Sequence, residues 1–378
     1  MYPFIFQRLH FKYWIISQIY KNRAFLEKHC ADIPTITPMG LCQNQNFAIF
    51  VKKMKHPFLI FRPYQLLLLL AAWLLGGSCQ PISQHEPAGV GFAPSFGQVV
   101  LPYDLTSPHK KMKLPGKLRE VSGLSFLQEG RLVMVQDEKG SIFQLDYQSG
   151  EVVSEHRFAG RGDYEGIEMV HDTAYVLRSD GAIFEVYPFP ADSPVVQVYK
   201  TPLSKQNDTE GLGYLPGSRQ LLIACKADAE ISQKGKKDIR AVYGFGLPSH
   251  QFTDTALLYL NLRHLQLAVS DNAYLRLSKE LGKMLSPGGN LNFQPSAIAV
   301  HPLSGELYLL ASVGKLLIVL SPQLQITGMY PLDEQVFKQP EGICFHPNGD
   351  LFISNEGKGG KGNVLWFPYQ ASVLEGAK

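Results

Sequence analysis

Gln339-Pro340-Glu341-Gly342-Ile343-Cys344-Phe345-His346-Pro347-Asn348-Gly349-Asp350-Leu351-Phe352-Ile353-Ser354-Asn355-Glu356 is the stretch that decides the fold. A polar residue, a Gly and an Ile open an apolar run, and Asn348-Gly349 then marks a tight hairpin turn. A second apolar run follows from Leu351, and after Asn355 to Gly362 a third runs from Asn363 to Phe367. The opening recurs upstream as Glu120-Val-Ser122-Gly123-Leu124, Asp163-Tyr-Glu165-Gly166-Ile167, Asp208-Thr-Glu210-Gly211-Leu212 and Gln294-Pro-Ser296-Ala297-Ile298. Its polar positions, 122, 165, 210, 296 and 341, lie 43, 45, 86 and 45 residues apart.

A self-repeat of about 44 residues, each unit holding several short strands, is the sequence pattern of a β-propeller. Two stacked sandwich domains would supply the strands but would not require the period. The long interval reads as two periods, so the spacing predicts six units with a degenerate fourth, its core strands in Ala241 to Leu262. The expectation is an all-β, six-bladed β-propeller over residues 113–372 with a short helical insertion at Tyr274 to Leu285, where Leu recurs at helical spacing.

Composition agrees with many short strands: among 378 residues there are 34 Gly, 25 Pro, 17 Tyr and 22 Phe. A formal net charge of +3 without a dense basic stripe excludes nucleic acid as a partner. The five cysteines, Cys30, Cys42, Cys79, Cys225 and Cys344, form no CxxC pair and no zinc-site spacing with His. Cys225 and Cys344 read as small buried apolar residues, with a mutual disulfide as the alternative in an oxidising compartment.

Upstream of the repeats, Lys52-Lys53-Met54-Lys55-His56 precedes an apolar run from Leu66 to Leu75, then Gly76-Gly77-Ser78-Cys79. A basic segment, ten apolar residues and small residues before a cut site make a secretory signal. The run is too short to span a bilayer, which takes about 20 residues. Small residues directly before Cys79 resemble the bacterial lipobox, although Leu75 lies one place upstream of the usual apolar position. The expected organisation is an over-extended start at residues 1–53, a lipoprotein signal peptide at 54–79 ending at the lipid-attachment residue Cys79, a linker at 80–112, and the propeller at 113–372. The implied location is extracytoplasmic, in the cell envelope, lipid-anchored to a bacterial membrane.

The Ser-Gly-Leu opening, the two Asp-x-Glu-Gly-Ile/Leu repeats and the closing Gln339 to Glu356 segment resemble the SdiA-regulated family. That resemblance implies a six-bladed propeller, exported and membrane-associated, related in shape to calcium-dependent lactonases and generally without an assigned reaction.

If the Gly-Ile strand of each unit is innermost, chain direction places Ser122, Glu165, Glu210, Ser296 and Glu341 around one mouth of the central channel. The ends of the second strands, Asp137, Arg178, Lys226, Ser312, Asn355 and Glu356, fall just outside. Converging carboxylates repel, and burial raises their pKa unless a cation compensates. Three compensations are open: Arg178 and Lys226 as counter-ions, a calcium ion on Glu165, Glu210, Glu341 and Asn355 with waters, or an anionic ligand held by Arg178 and Lys226. His301 and His346 precede prolines in turns on the opposite face and read as exposed. There is no GxSxG elbow, HExxH pair or phosphate-binding Gly loop. Gly357 to Gly362 reads as a flexible loop, and the sequon Asn207-Asp208-Thr209 sits at the mouth.

The function these features lead to is that of a membrane-anchored binding or interaction module of the cell envelope. Its partners would be the membrane, through the lipid, and a small molecule or envelope protein. The alternative is a metal-dependent hydrolase of lactonase or phosphoesterase type on the same propeller.

Overall fold

β-Branched and aromatic runs of five to eight residues, cut by Gly, Pro and Asn turns, pair as antiparallel hairpins because each strand's apolar faces are covered only by a neighbouring sheet. A computed structural model of the chain describes residues 90–93, 96, 100–231, 235, 237–271 and 291–371. All of them fall within one unit, Ser83–Lys378. The segment 1–53, the signal at 54–79 with Cys79, and the helix expected at Tyr274 to Leu285 lie outside the described residues.

Five four-stranded sheets are formed among the described residues. The first holds β2 (Val121–Gln128), β3 (Arg131–Gln136), β4 (Lys139–Asp146) and β5 (Glu151–Arg161), in that order. The second holds β6 (Tyr164–Val170), β7 (Thr173–Arg178), β8 (Ile183–Tyr187) and β9 (Val195–Tyr199). The third holds β10 (Thr209–Leu215), β11 (Gln220–Cys225), β12 (Ile239–Gly246) and β13 (Gln251–Asn261), followed by helix α1 (Leu262–Asp271). The fourth holds β14 (Gln294–Val300), β15 (Leu307–Val313), β16 (Leu316–Leu320) and β17 (Ile326–Pro331). The fifth holds β18 (Pro340–Phe345), β19 (Leu351–Asn355) and β20 (Asn363–Phe367), completed by β1 (Lys110–Lys113).

Among the described residues the chain is therefore a β-propeller of five blades, not the six expected. The motif glycines show how the ring closes. A Cβ on Gly123 would lie 2.6 Å from the Ile167 nitrogen, one on Gly166 2.6 Å from the Leu212 Cβ, and one on Gly211 3.1 Å from the Ala297 carbonyl carbon. One on Gly342 would lie 2.7 Å from the Ser122 carbonyl oxygen. Each inner strand thus packs its backbone on the next, and the third motif meets the Ser296 motif with no blade between them. The segment Ala241 to Leu262, expected to be the core of a fourth unit, instead supplies β12 and β13, the outer strands of blade three. The long interval is filled by the connection after β11, by an eleven-residue β13, by α1 and by the residues up to β14.

The expected linker at 80–112 also needs correction. Lys110 to Lys113 pair with Trp366 to Asn363 as the outermost strand of the last blade. Met112 and Leu114 are buried between blades, and Phe92 bridges to Ile326 of blade four. An amino-terminal strand thus joins the last carboxy-terminal blade, so opening the ring there breaks strand pairing as well as packing. Further anchoring comes from Tyr103, which is buried. Its hydroxyl donates to the Gly349 carbonyl at 2.7 Å and meets His301 Nε2 at 2.9 Å.

Candidate functional site

Pairing between the first two strands of a blade slips at every motif. Tyr164 faces Arg178 and Gly166 faces Leu177, so Glu165 has no partner. The same slip isolates Glu210 between Thr209 and Gly211, Ser296 between Pro295 and Ala297, and Glu341 between Pro340 and Gly342. In blade one it spans Ser122 and Gly123. These are β-bulges, which leave one residue out of the ladder and re-aim its side chain. The following position is small because the next blade leaves no space for a larger one. The repeated polar-Gly-Ile motif is thus a bulge plus a close approach, and it carries three carboxyl groups to one mouth.

Those groups act on one another. Burial pushes Glu165 up to about 9, with Glu210, Asp163 and Glu341 adding repulsion and an Asp163 hydrogen bond favouring the protonated form. Burial pushes Glu210 up to about 8; Glu341 adds to this and Lys226 opposes it. Glu341 is raised by burial, moderated by hydrogen bonds from Gln339 and Ser312 and by the Lys226 charge.

Among the described residues, Lys226 is the cation in direct contact with this ring. Its ammonium is hydrogen-bonded to Glu210, with Asp208 at 3.9 Å. Burial alone would lower it, and the surrounding Glu210, Asp208 and Glu341 overcome that, so the ammonium is held well above its usual range. The expected counter-ion role therefore falls to Lys226, and Arg178 does not share it. Arg178 instead binds Asp180 through two hydrogen bonds of 2.9 and 2.8 Å and lies over the Phe184 ring. Asp180, two residues further along the same turn, reaches the guanidinium before any mouth carboxylate does.

Asn355, expected among the calcium ligands, is fully buried. Its Nδ2 donates to Asn363 at 3.3 Å, while its Oδ1 has no partner. Asp137 and Glu356 gather with Glu120 at the seam between blades five and one. Burial pushes Asp137 up to about 6, with Glu120, Glu138 and Glu356 adding repulsion against a backbone N–H from Glu138. Glu356 accepts a hydrogen bond from Gln339 and also repels Glu341, so this seam continues the ring as an acidic arc. Among the described residues, no three His, Cys, Asp or Glu side chains stand close enough to share a metal ion. Lys226 contacts Glu210, one of the carboxylates expected from the sequence as a calcium ligand.

Other sequence candidates resolve plainly. His301 is buried, contrary to the exposed turn expected for it, and burial pulls it down to about 4. His346 contacts Glu129 at 2.8 Å. Cys225 and Cys344 are both free and buried, so the disulfide alternative falls. The Asn207 amide is buried and donates to the Asp228 and Glu230 carbonyls, which leaves the sequon without an accessible acceptor. Sequence reasoning passed over Asp163 and Asp208, the first residues of two motifs, although their identical spacing before Glu165 and Glu210 was a signal. Asp163 accepts a 2.6 Å hydrogen bond from Ser179.

Residues 102–226 match the model of the SdiA-regulated family. No curated protein sequence matches the chain. Among solved structures, the chain is similar to a glutaminyl cyclase of Myxococcus xanthus, at 13% identity and a TM-score of 0.46 over 69% of this chain and 95% of that one. It is also similar to a luciferin-regenerating enzyme, at 12% identity and a TM-score of 0.42 over 69% and 95%. A nidogen/laminin complex matches at 15% identity and a TM-score of 0.39 over 62% and 72%.

Proposed function

We propose that this member of the SdiA-regulated family is an extracytoplasmic binding propeller, lipid-anchored to the cell envelope through Cys79, whose channel mouth receives a cationic group of a small molecule or an envelope protein. The observation that carries the reading is the bulge-directed ring of Glu165, Glu210 and Glu341, widened by Asp163, Asp208 and Glu356 and contacted directly by one ammonium, Lys226. Carboxyl groups held above their ordinary range by burial and mutual repulsion lose their protons when a cation arrives. Uptake of a cation at neutral pH should therefore release protons.

The hydrolase alternative needs a group to activate water and one to protonate the leaving group. Both described histidines of the late blades lie away from the mouth, one in the Tyr103 contact and the other on Glu129. A binding role requires neither.

The test is calorimetric titration of the full chain with spermidine and, separately, with calcium, in two buffers of different ionisation enthalpy. Binding of spermidine with buffer-dependent heat, weakened in Glu341→Gln, is expected. Calcium should bind weakly, because it must first displace Lys226 from Glu210. An absence of spermidine binding would overturn the cation reading, and turnover of a lactone or phosphoester panel that disappears in Glu165→Gln would establish the hydrolase.

A further inference from the structure

The other end of the channel is built differently. Where the inner strands leave the axis, their ends line a half-open cavity of about 490 Å³, walled by Phe126, Met169, Leu215, Val300, Pro302 and Phe345. That volume lies within the range of roughly 300–1,000 Å³ typical of small-molecule sites. Glu168 projects into this apolar wall. It follows Glu165 by three residues on β6, or about 10 Å along the strand.

The carboxyl group is held in place. Ser125 Oγ accepts the Met169 N–H at 3.1 Å and donates its own proton to Glu168. No Lys or Arg lines the cavity among the described residues. Protein surrounds Glu168 so closely that burial pushes it up to about 8, with Ser125 as the opposing influence. The partial exposure it retains is to the cavity it lines.

Cys344 and His301, which also line the cavity, contribute no charge. The Cys344 thiol is raised by burial and then by Glu168, so it stays protonated, and His301 is neutral. One carboxyl group thus sets the polarity of an otherwise apolar chamber.

We propose that this cavity binds a small apolar molecule bearing a primary ammonium group, with the ammonium on Glu168 and the apolar body against Phe126, Met169, Leu215 and Phe345. An ammonium restores to Glu168 the counter-charge that its surroundings lack, and hydrogen bonds to an ionised group are the stronger kind. Aromatic rings at the wall favour the same charge. An anion would lose its hydration in a cavity that offers no cation to pair with, and a neutral alcohol can exchange only an ordinary hydrogen bond. The site is independent of the acidic mouth, since it lies at the opposite end of the channel and uses none of the mouth residues.

The experiment uses the full chain with ¹³C-methyl methionine, the Met169 signal being assigned through Met169→Leu. The probes are 2-phenylethylamine, 2-phenylethanol and phenylacetate, which share a shape and differ in charge. Expected are a shift of the Met169 methyl signal with the amine, affinity for the amine about tenfold above that for the alcohol, and the weakest response with the acid. Glu168→Gln should reduce the amine to the level of the alcohol, while Glu341→Gln at the mouth should leave amine binding as it was. Equal binding of acid and amine, an unmoved Met169 signal, or full amine affinity in a folded Glu168→Gln would each overturn the proposal. If Glu168→Gln fails to fold, the ranking of the three probes on the unaltered chain decides by itself.

Discussion

Replacing Glu165 by Gln should stabilise the protein, by an amount that depends on pH. The carboxyl is held at about 9 against an ordinary value of 4.5, chiefly by burial and then by Glu210 and Asp163. Between those two values the folded chain keeps a proton that the unfolded chain has given up. Stability therefore falls as pH rises through that window, by about 1.4 kcal/mol for each pH unit. From pH 4.5 to 7 the accumulated cost approaches about 3 kcal/mol.

Gln has nearly the same shape and carries no ionisable proton in either state, so Glu165→Gln escapes the cost. Its gain should be close to zero at pH 4.5, about 3 kcal/mol at pH 7, and level off near the folded value of about 9. For a chain of this size each kcal/mol moves Tm by roughly 2–4 °C, so the gain at pH 7 should exceed about 5 °C. Urea or thermal melts at pH 4.5, 7 and 8.5, compared with the unaltered chain, provide the assay. A difference that stays constant across the three pH values, or a loss of stability at pH 7, would refute the account of a buried acid kept protonated by its neighbours.

Tyr103→Phe removes the hydroxyl shared by the Gly349 carbonyl and His301 Nε2. It should cost about 1–3 kcal/mol by urea melt, because two buried polar groups lose their partner. A chain beginning at Leu114 lacks β1 and leaves the β20 edge unpaired; it should unfold at lower temperature and aggregate, whereas one beginning at Ser83 should match the full chain in its melting curve. Cys79→Ala should abolish incorporation of labelled lipid and move the protein into the soluble fraction, and an unlabelled but membrane-retained parent chain would refute the anchor.

The sequence alone determined the class of fold and the mouth of the channel. Glu165-Gly166, Glu210-Gly211 and Glu341-Gly342 repeat because each inner strand must meet its neighbour backbone to backbone while bulging one polar residue toward the axis. That demand is local to every blade, so it is written in every repeat and can be read without coordinates. The number of blades is a different kind of fact. An interval of 86 residues suits two ordinary units or one unit with long strands and an inserted helix, and only the contact of Gly211 with Ala297 decides between them.

The same distinction governs the site. Sequence could place Arg178 and Lys226 at equivalent strand ends, but Asp180 captures the first and Glu210 the second. Side-chain pairing depends on which group reaches the cation first in three dimensions. β1 joining β20 and the cavity around Glu168 likewise arise from chain segments brought together from distant parts of the sequence. No local periodicity encodes such a meeting, because its energy comes from surfaces that exist only once the ring has closed.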